Sequence, residues 1–464
     1  MDSIIVLIIF CSLTAFGQKI QPEIKKLAKK IEKYNELESE YVNYAGITTD
    51  QYRNFEKLRD KATIEELLLL LKHKNSVVKG YASWALADKM YPEMAEIFAK
   101  FLKTGETVAN QHGCIMSEDD LATEFYDRVF YQHFQNKLSV TDSIFFQSQI
   151  LQLDSVILYR KRKHYLLERV LSNNDANPNT YERIKQLAKR KKNSYAIIAL
   201  AKYGKQSDIP FIIKQGKASF SAISVFPDKE FWEFLLSYKS KEKSLNYFLA
   251  ISSYKNDNAL SVLNDIYINC NSNQVSELDE ALIVNYCPLF QDLILQIWEE
   301  HKTIDVSITK RLINDCPKKS SKAFADGLLS DKKFNFIELD YNYGVSRLIL
   351  PLMLQHISKY NSELMLSICN KNILTSGFTK LKSFLDIIKK NEITQTSNVL
   401  IQSLKERKQA FDIFHITETL LSFNNIETKK QITKILITNQ KNWDWGNWSD
   451  HFRKLFKEFN IKID

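Results

Sequence analysis

"TIEELLLLLKHKNSVVKGYASWALADKM", Thr63 to Met90, holds two helical patterns separated by four polar residues. In the first, Ile64, Leu67, Leu68 and Leu71 fall at i, i+3, i+4 and i+7, and Leu69 and Leu70 widen that face enough to touch two neighbours. Thr63 followed by Glu66 has the spacing of a capping box, which satisfies two otherwise unpaired backbone donors at a helix start. "KHKN" breaks the pattern. A second helix is expected from Ser76 as N-cap, with Val78, Tyr81, Ala82, Ala85 and Leu86 on one face and its alanines allowing close approach. A third is expected from Pro92, carrying Met94, Ile97, Phe98, Phe101 and Leu102. Three short helices with faces too wide for a lone pair make a unit that must stack on similar units.

The composition agrees. Only 11 Gly and 8 Pro in 464 residues leave few tight-turn formers for sandwiches, barrels or phosphate loops, so an all-α fold is expected. The net charge of +9 is carried by 52 lysines against 12 arginines. Lysine is a flexible point charge, and this balance points to solubility more than to base readout. Nucleic acid is not the expected partner.

"SVVKGYASWALA" resembles the second helix of a HEAT-type repeat, where a valine, a basic residue and small residues follow a short turn; Lys79 stands at the basic position. His73 replaces the aspartate that the family usually carries at the end of the first helix. A second match runs from Tyr195, "YAIIALAKYGKQSDIPFIIKQ", and its "ALA" at Ala199 lies 114 residues after that at Ala85, which suits three units of 38. The resemblance covers residues 48–105 and 180–270, with weaker echoes from Tyr247 and Thr396. It implies an irregular HEAT-like α-solenoid, a concave binding surface and a protein partner.

Along the chain, "MDSIIVLIIFCSLTAFGQ" carries a 13-residue apolar run, Ile4–Phe16, then small residues suited to cleavage before Gln18. A bilayer span needs about 20 residues, so residues 1–17 read as an export signal, leaving a periplasmic or secreted protein without a transmembrane helix. The run lacks a basic flank. Retention as an anchor and lipidation at Cys11, which Phe10 opposes, are the alternatives. Helical regions are expected over 18–172, 180–270 and 277–464, bounded by the turn-rich "SNNDANPNT" (Ser172–Thr180) and "NCNSNQVSE" (Asn269–Glu277). From Ile24 to Tyr44 apolar residues including Leu37 and Tyr41 recur at threes and fours, which predicts one amphipathic capping helix. "DKKFNFIELDYNYG", Asp331–Gly344, alternates and predicts an extended connection.

Signatures of chemistry are sparse. The sequence has no H-E-x-x-H, G-x-S-x-G, P-loop or G-x-G-x-x-G, and no histidine precedes a glutamate as in the iron-binding pairs of one enzymatic HEAT family. No catalytic residue, metal ligand or cofactor is assigned. The five cysteines after the leader are widely spaced without a C-x-x-C, which predicts single buried thiols. His112 and Cys114 in "NQHGCIMSEDD" are a weak thiol–base pair, and Ser117 in the same stretch is expected to cap a helix with acids in its first turn.

Two surface sites are candidates. Arg160, Lys161, Arg162 and Lys163, with Lys189, Arg190, Lys191 and Lys192, form two tyrosine-flanked basic segments that leave no apolar face and suit an anionic polymer. Some HEAT-like proteins are DNA glycosylases, but export argues against that use. Trp443, Trp445 and Trp448 surround a glycine and either form an aromatic binding patch or seal the last repeat. The expected role is a protein-binding scaffold. An envelope enzyme or ligand binder with a site in the C-terminal half, and an anionic-polymer binder, are the alternatives; a convergent polar pocket with a buried acid separates the first alternative from the scaffold.

Overall fold

The structure is a computed structural model describing residues 19–134, 138–160, 164–191, 193–301, 304, 306–330, 346–439 and 448–461. The expected export signal, residues 1–17, and the segment 331–344 lie outside them. The fold is all-α: among the described residues, 26 α-helices accompany one three-stranded sheet, an arrangement compatible with a helical repeat. The chain divides into two compact units, up to Tyr203 and from Gly204 onward.

The first unit comprises α1 (Pro22–Tyr34), β1 (Leu37–Val42), α2 (Asp50–Lys61), α3 (Ile64–Leu70), α4 (Ser76–Asp88), α5 (Met94–Thr104), β2 (Thr107–Gly113), β3 (Ile115–Asp120), α6 (Leu121–His133), α7 (Val140–Tyr159), α8 (Leu166–Ser172), α9 (Tyr181–Lys191) and α10 (Ser194–Ala201). The capping box forms as read: Thr63 Oγ1 accepts from Glu66 N at 3.2 Å, and Glu66 Oε2 accepts from Thr63 N at 3.1 Å. Asn75 rather than Ser76 caps α4, accepting from Val78 N at 3.0 Å, and α5 starts at Met94 rather than Pro92. Helix α4 is the centre of this unit. Every residue from Val77 to Ala87 except Lys79 is buried, and α2 and α6 pack on either side of it in sequence order.

One expectation fails between Ile24 and Tyr44. Asn35 takes a left-handed conformation (φ 56°) and ends α1, so Leu37–Val42 becomes a strand instead of continuing the helix. Two features hold β1 on α4. Leu37 packs against Gly80, where a Cβ would meet Leu37 Cδ1 at 3.0 Å. The buried Tyr81 hydroxyl accepts from Glu38 N at 2.8 Å and donates to Glu38 O at 3.1 Å. β1 pairs in parallel with β2, and β2 in antiparallel with β3, from Thr107↔Asp120 to His112↔Ile115. Gly113 supplies the positive φ (60°) of the two-residue turn between them. Ser117 is therefore in a strand, and the cap of α6 is Asp120, which accepts from Thr123 N at 2.9 Å.

In the second unit alternate helices lie side by side. Val306–Asp315, Ser346–Tyr360, Phe378–Lys390 and Ala410–Ser422 each pack on the next. Pro317–Leu329, Met365–Ile373, Ser397–Glu406 and Ile426–Asn439 form a second row against them. Trp298 is fully buried here and fits only because residue 327 is glycine, since a Cβ there would lie 2.4 Å from its Nε1. Among the described residues no helix is long and apolar enough to cross a membrane.

Candidate functional site

The register of the small sheet shapes the site. Leu37 and Glu38 pair with Asn110 and Gln111, but the next pair is Val42 with Gly113, so Ser39–Tyr41 bulge opposite the single residue His112. Such a bulge re-aims side chains, and this one sends Glu40 and Tyr41 to the wall of a cleft. Ser39 Oγ pins it, accepting from Gly113 N at 3.3 Å and donating to Tyr41 O at 3.1 Å.

The cleft has a volume of about 690 Å³ and draws on six elements besides the residue that follows α6. Helix α6 supplies one long wall, because Glu124, Asp127, Arg128 and Tyr131 recur at threes and fours on one face, followed by Phe134. Facing residues are Tyr52 from α2, Trp84 from α4, His112 from β2 and Arg169 from α8. At the rim three large rings are open to solvent: Tyr41 at 58%, Tyr131 at 54% and Phe134 at 62% exposure.

Beneath the rim the charges are paired. The Glu124 side chain is 3% exposed and receives Asn110 Nδ2 at 2.6 Å and His112 Nε2 at 3.1 Å, while its main-chain oxygen receives Trp84 Nε1 at 3.1 Å. This carboxylate holds the pKa of His112 above the ordinary imidazole value, against the opposing effect of burial. The guanidinium of Arg128 makes a two-pronged pair with Asp88, with Nε at 2.7 Å from Oδ1 and Nη2 bonded to Oδ2. Gln132 Nε2 reaches the same carboxylate at 2.6 Å, and Arg59 Nη1 lies 3.7 Å away. Arg128 also stacks on Trp84 at 5.2 Å, Phe55 at 5.4 Å and Tyr131 at 5.8 Å. Arg169 pairs with Asp127 and lies over Phe130 at 4.3 Å. Behind it Tyr126 donates to Asp154 at 2.8 Å, and burial pushes that carboxyl up to about 6.

The arrangement is therefore an apolar, ring-lined recess whose floor has a fixed pattern of charge, able to hold a flat or aromatic group and orient its polar edge. His112 is drawn to Glu124 and not to a thiol: Cys114 occupies the exposed hairpin turn. All five described cysteines are free, but the expected burial holds only for Cys369, with Cys270, Cys287 and Cys316 half-buried and Cys114 exposed; among the described residues no group of three His, Cys, Asp or Glu is placed to hold a metal.

The basic segments fare differently. Arg160 ends α7, and its Nη2 donates to Leu102 O at 2.5 Å, so it joins helices instead of projecting into solvent. Lys189 and Arg190 are exposed on α9; the side chain of Lys191, and Lys161, Arg162, Lys163 and Lys192 entirely, lie outside the described residues. Trp443 and Trp445 also lie outside. Trp448 packs on Phe411 and Phe414, each at 5.2 Å, and on His451 at 4.8 Å. The cleft residues were not singled out by sequence reading, apart from His112. Their one available signal was "FYDRVFYQHF", Phe125 to Phe134, whose five Phe and Tyr residues are too many for one buried face.

Compared with known proteins, the chain matches no family model, no curated protein and no solved structure.

Proposed function

We propose that the protein is an exported, HEAT-like α-solenoid that binds a partner protein, and that the cleft of the first unit is its anchor pocket. The observation that carries this is the lining. Open tyrosine and phenylalanine rings surround a floor of tryptophan and paired arginine, the composition of an interface hot spot. Exposed rings grouped at one recess are a costly surface for a protein that binds nothing. The side-by-side rows of helices and the "SVVKGYASWALA" pattern support a solenoid of HEAT type, and the apolar leader supports export.

Affinity capture from native envelope extract tests the reading, with wild-type protein beside the Tyr41→Ala/Tyr131→Ala variant. Both substitutions remove exposed rings, so folding is retained, and the partner recovered by wild type is expected to fall at least tenfold, about 1.4 kcal/mol. Equal recovery by both would remove the cleft from the reading.

A second reading, a small-ligand binder or enzyme, is favoured by the buried Glu124 holding His112 at the cleft wall. It differs from the earlier expectation in placing the site in the first unit. It predicts that a small aromatic or sugar-like compound raises the melting temperature of wild type and not of His112→Ala.

A further inference from the structure

A second recess in the first unit has a different character. Lys26 and Lys30 of α1 face Lys57 and Lys61 of α2 across a groove of about 540 Å³ whose floor is the buried Leu27. Each lysine pair is spaced i, i+4, the spacing at which like charges destabilise the helix that carries them, and the two pairs repel each other across the groove. The groove carries one acid, Glu23, which pairs with Lys61. Among the described residues Lys26, Lys30 and Lys57 make no ion pair.

We infer that this groove is a binding site for a soluble multivalent oxyanion, a chain of closely spaced phosphate groups. Lysine ammoniums are compact point charges that bind phosphate without imposing a shape, and four on two walls match a ligand with several charges in a row. A linear anion lying in the groove neutralises Lys26, Lys30 and Lys57 at once and shares Lys61 with Glu23. A membrane surface fits less well: insertion needs an exposed apolar face, and the aliphatic residues of α1, Ile24, Leu27, Ala28 and Ile31, are all buried, which leaves the single aromatic ring of Tyr34 exposed at its end. The site is separate from the aromatic cleft and does not rest on its proposed role.

The test is calorimetric titration of the purified full chain with inorganic tripolyphosphate at low salt, followed by the same titration at rising salt. Saturable binding is expected, with an affinity that falls linearly in log–log form against salt. Lys26→Gln/Lys57→Gln should weaken it by roughly tenfold or more, and Lys100→Gln/Lys103→Gln, exposed on α5 and outside the groove, should leave it unchanged. Lack of saturable binding at low salt, or equal losses in the two variants, would overturn the assignment. Sedimentation with phosphatidylglycerol vesicles that persists at saturating tripolyphosphate would overturn it in favour of a lipid surface.

Discussion

Asp88 is the residue on which the cleft floor depends most. Its side chain is 7% exposed and answers Arg128, 10% exposed, through both guanidinium prongs. Burial works against the charge of Arg128, and the hydrogen bonds and charge of Asp88 more than offset it. Asp88→Ala leaves a buried guanidinium against three rings with no counter-charge. Loss of one partner of a buried pair costs about 3–5 kcal/mol, and stacking on Trp84, Phe55 and Tyr131 returns roughly 1–2 kcal/mol of that. The net expectation is about 1–4 kcal/mol. Urea unfolding followed by tryptophan fluorescence measures it on the transition that contains Trp84. The double variant Asp88→Ala/Arg128→Met, which removes both charges and keeps the apolar contact, should recover at least half of the loss. A loss below about 1 kcal/mol for Asp88→Ala, or no recovery in the double variant, would refute the claim that this pair holds the floor.

Three further outcomes follow from the geometry. Gly327→Ala drives a methyl into the indole of Trp298 and should cost about 1–3 kcal/mol, read as a lowered melting temperature of the second unit. Because Glu124 raises the pKa of His112 in the folded state, the stabilisation from their pair is fully present below the ordinary value near 6.5 and is lost as pH rises through the raised folded value. Glu124→Gln should lower the His112 midpoint in a proton NMR titration and flatten that decline in stability. Asp154 has the same direction: its folded carboxyl is raised from 3.8 to about 6, so the folded state holds the proton longer and stability falls as pH rises between those values. Asp154→Asn keeps an acceptor for Tyr126 and should stabilise the first unit by about 2–3 kcal/mol at pH 7.5, seen in denaturant unfolding.

The helical character of the chain was legible because its signals are local. Thr63 and Glu66 lie within one turn of each other, and the small residues of α4 report directly on close packing. The sheet was not. Leu37, Tyr41 and Tyr44 have helical spacing, and what overrides it is one left-handed asparagine together with a partner strand some 70 residues away. Ser117 and Asp120 are both good caps, and only the pairing of β3 with β2 decides between them. The cleft is assembled from contacts of long range, such as Trp84 with Glu124 and Asp88 with Arg128, each 40 residues apart, which periodicity does not reveal. Arg160 shows the converse error: a basic run looks solvated in sequence, yet its first guanidinium is used to tie α7 to α5.

Photo-crosslinking from within the cleft tests the central claim most directly. A benzophenone amino acid in place of Tyr131 is compared, in the native envelope, with the same group in place of Tyr195, which is exposed at 40% on α10 and does not line the cleft. The account predicts one discrete protein adduct from position 131 that is absent from position 195 and is reduced by Tyr41→Ala. Adducts of equal yield from both positions, or no protein adduct from position 131, would contradict it.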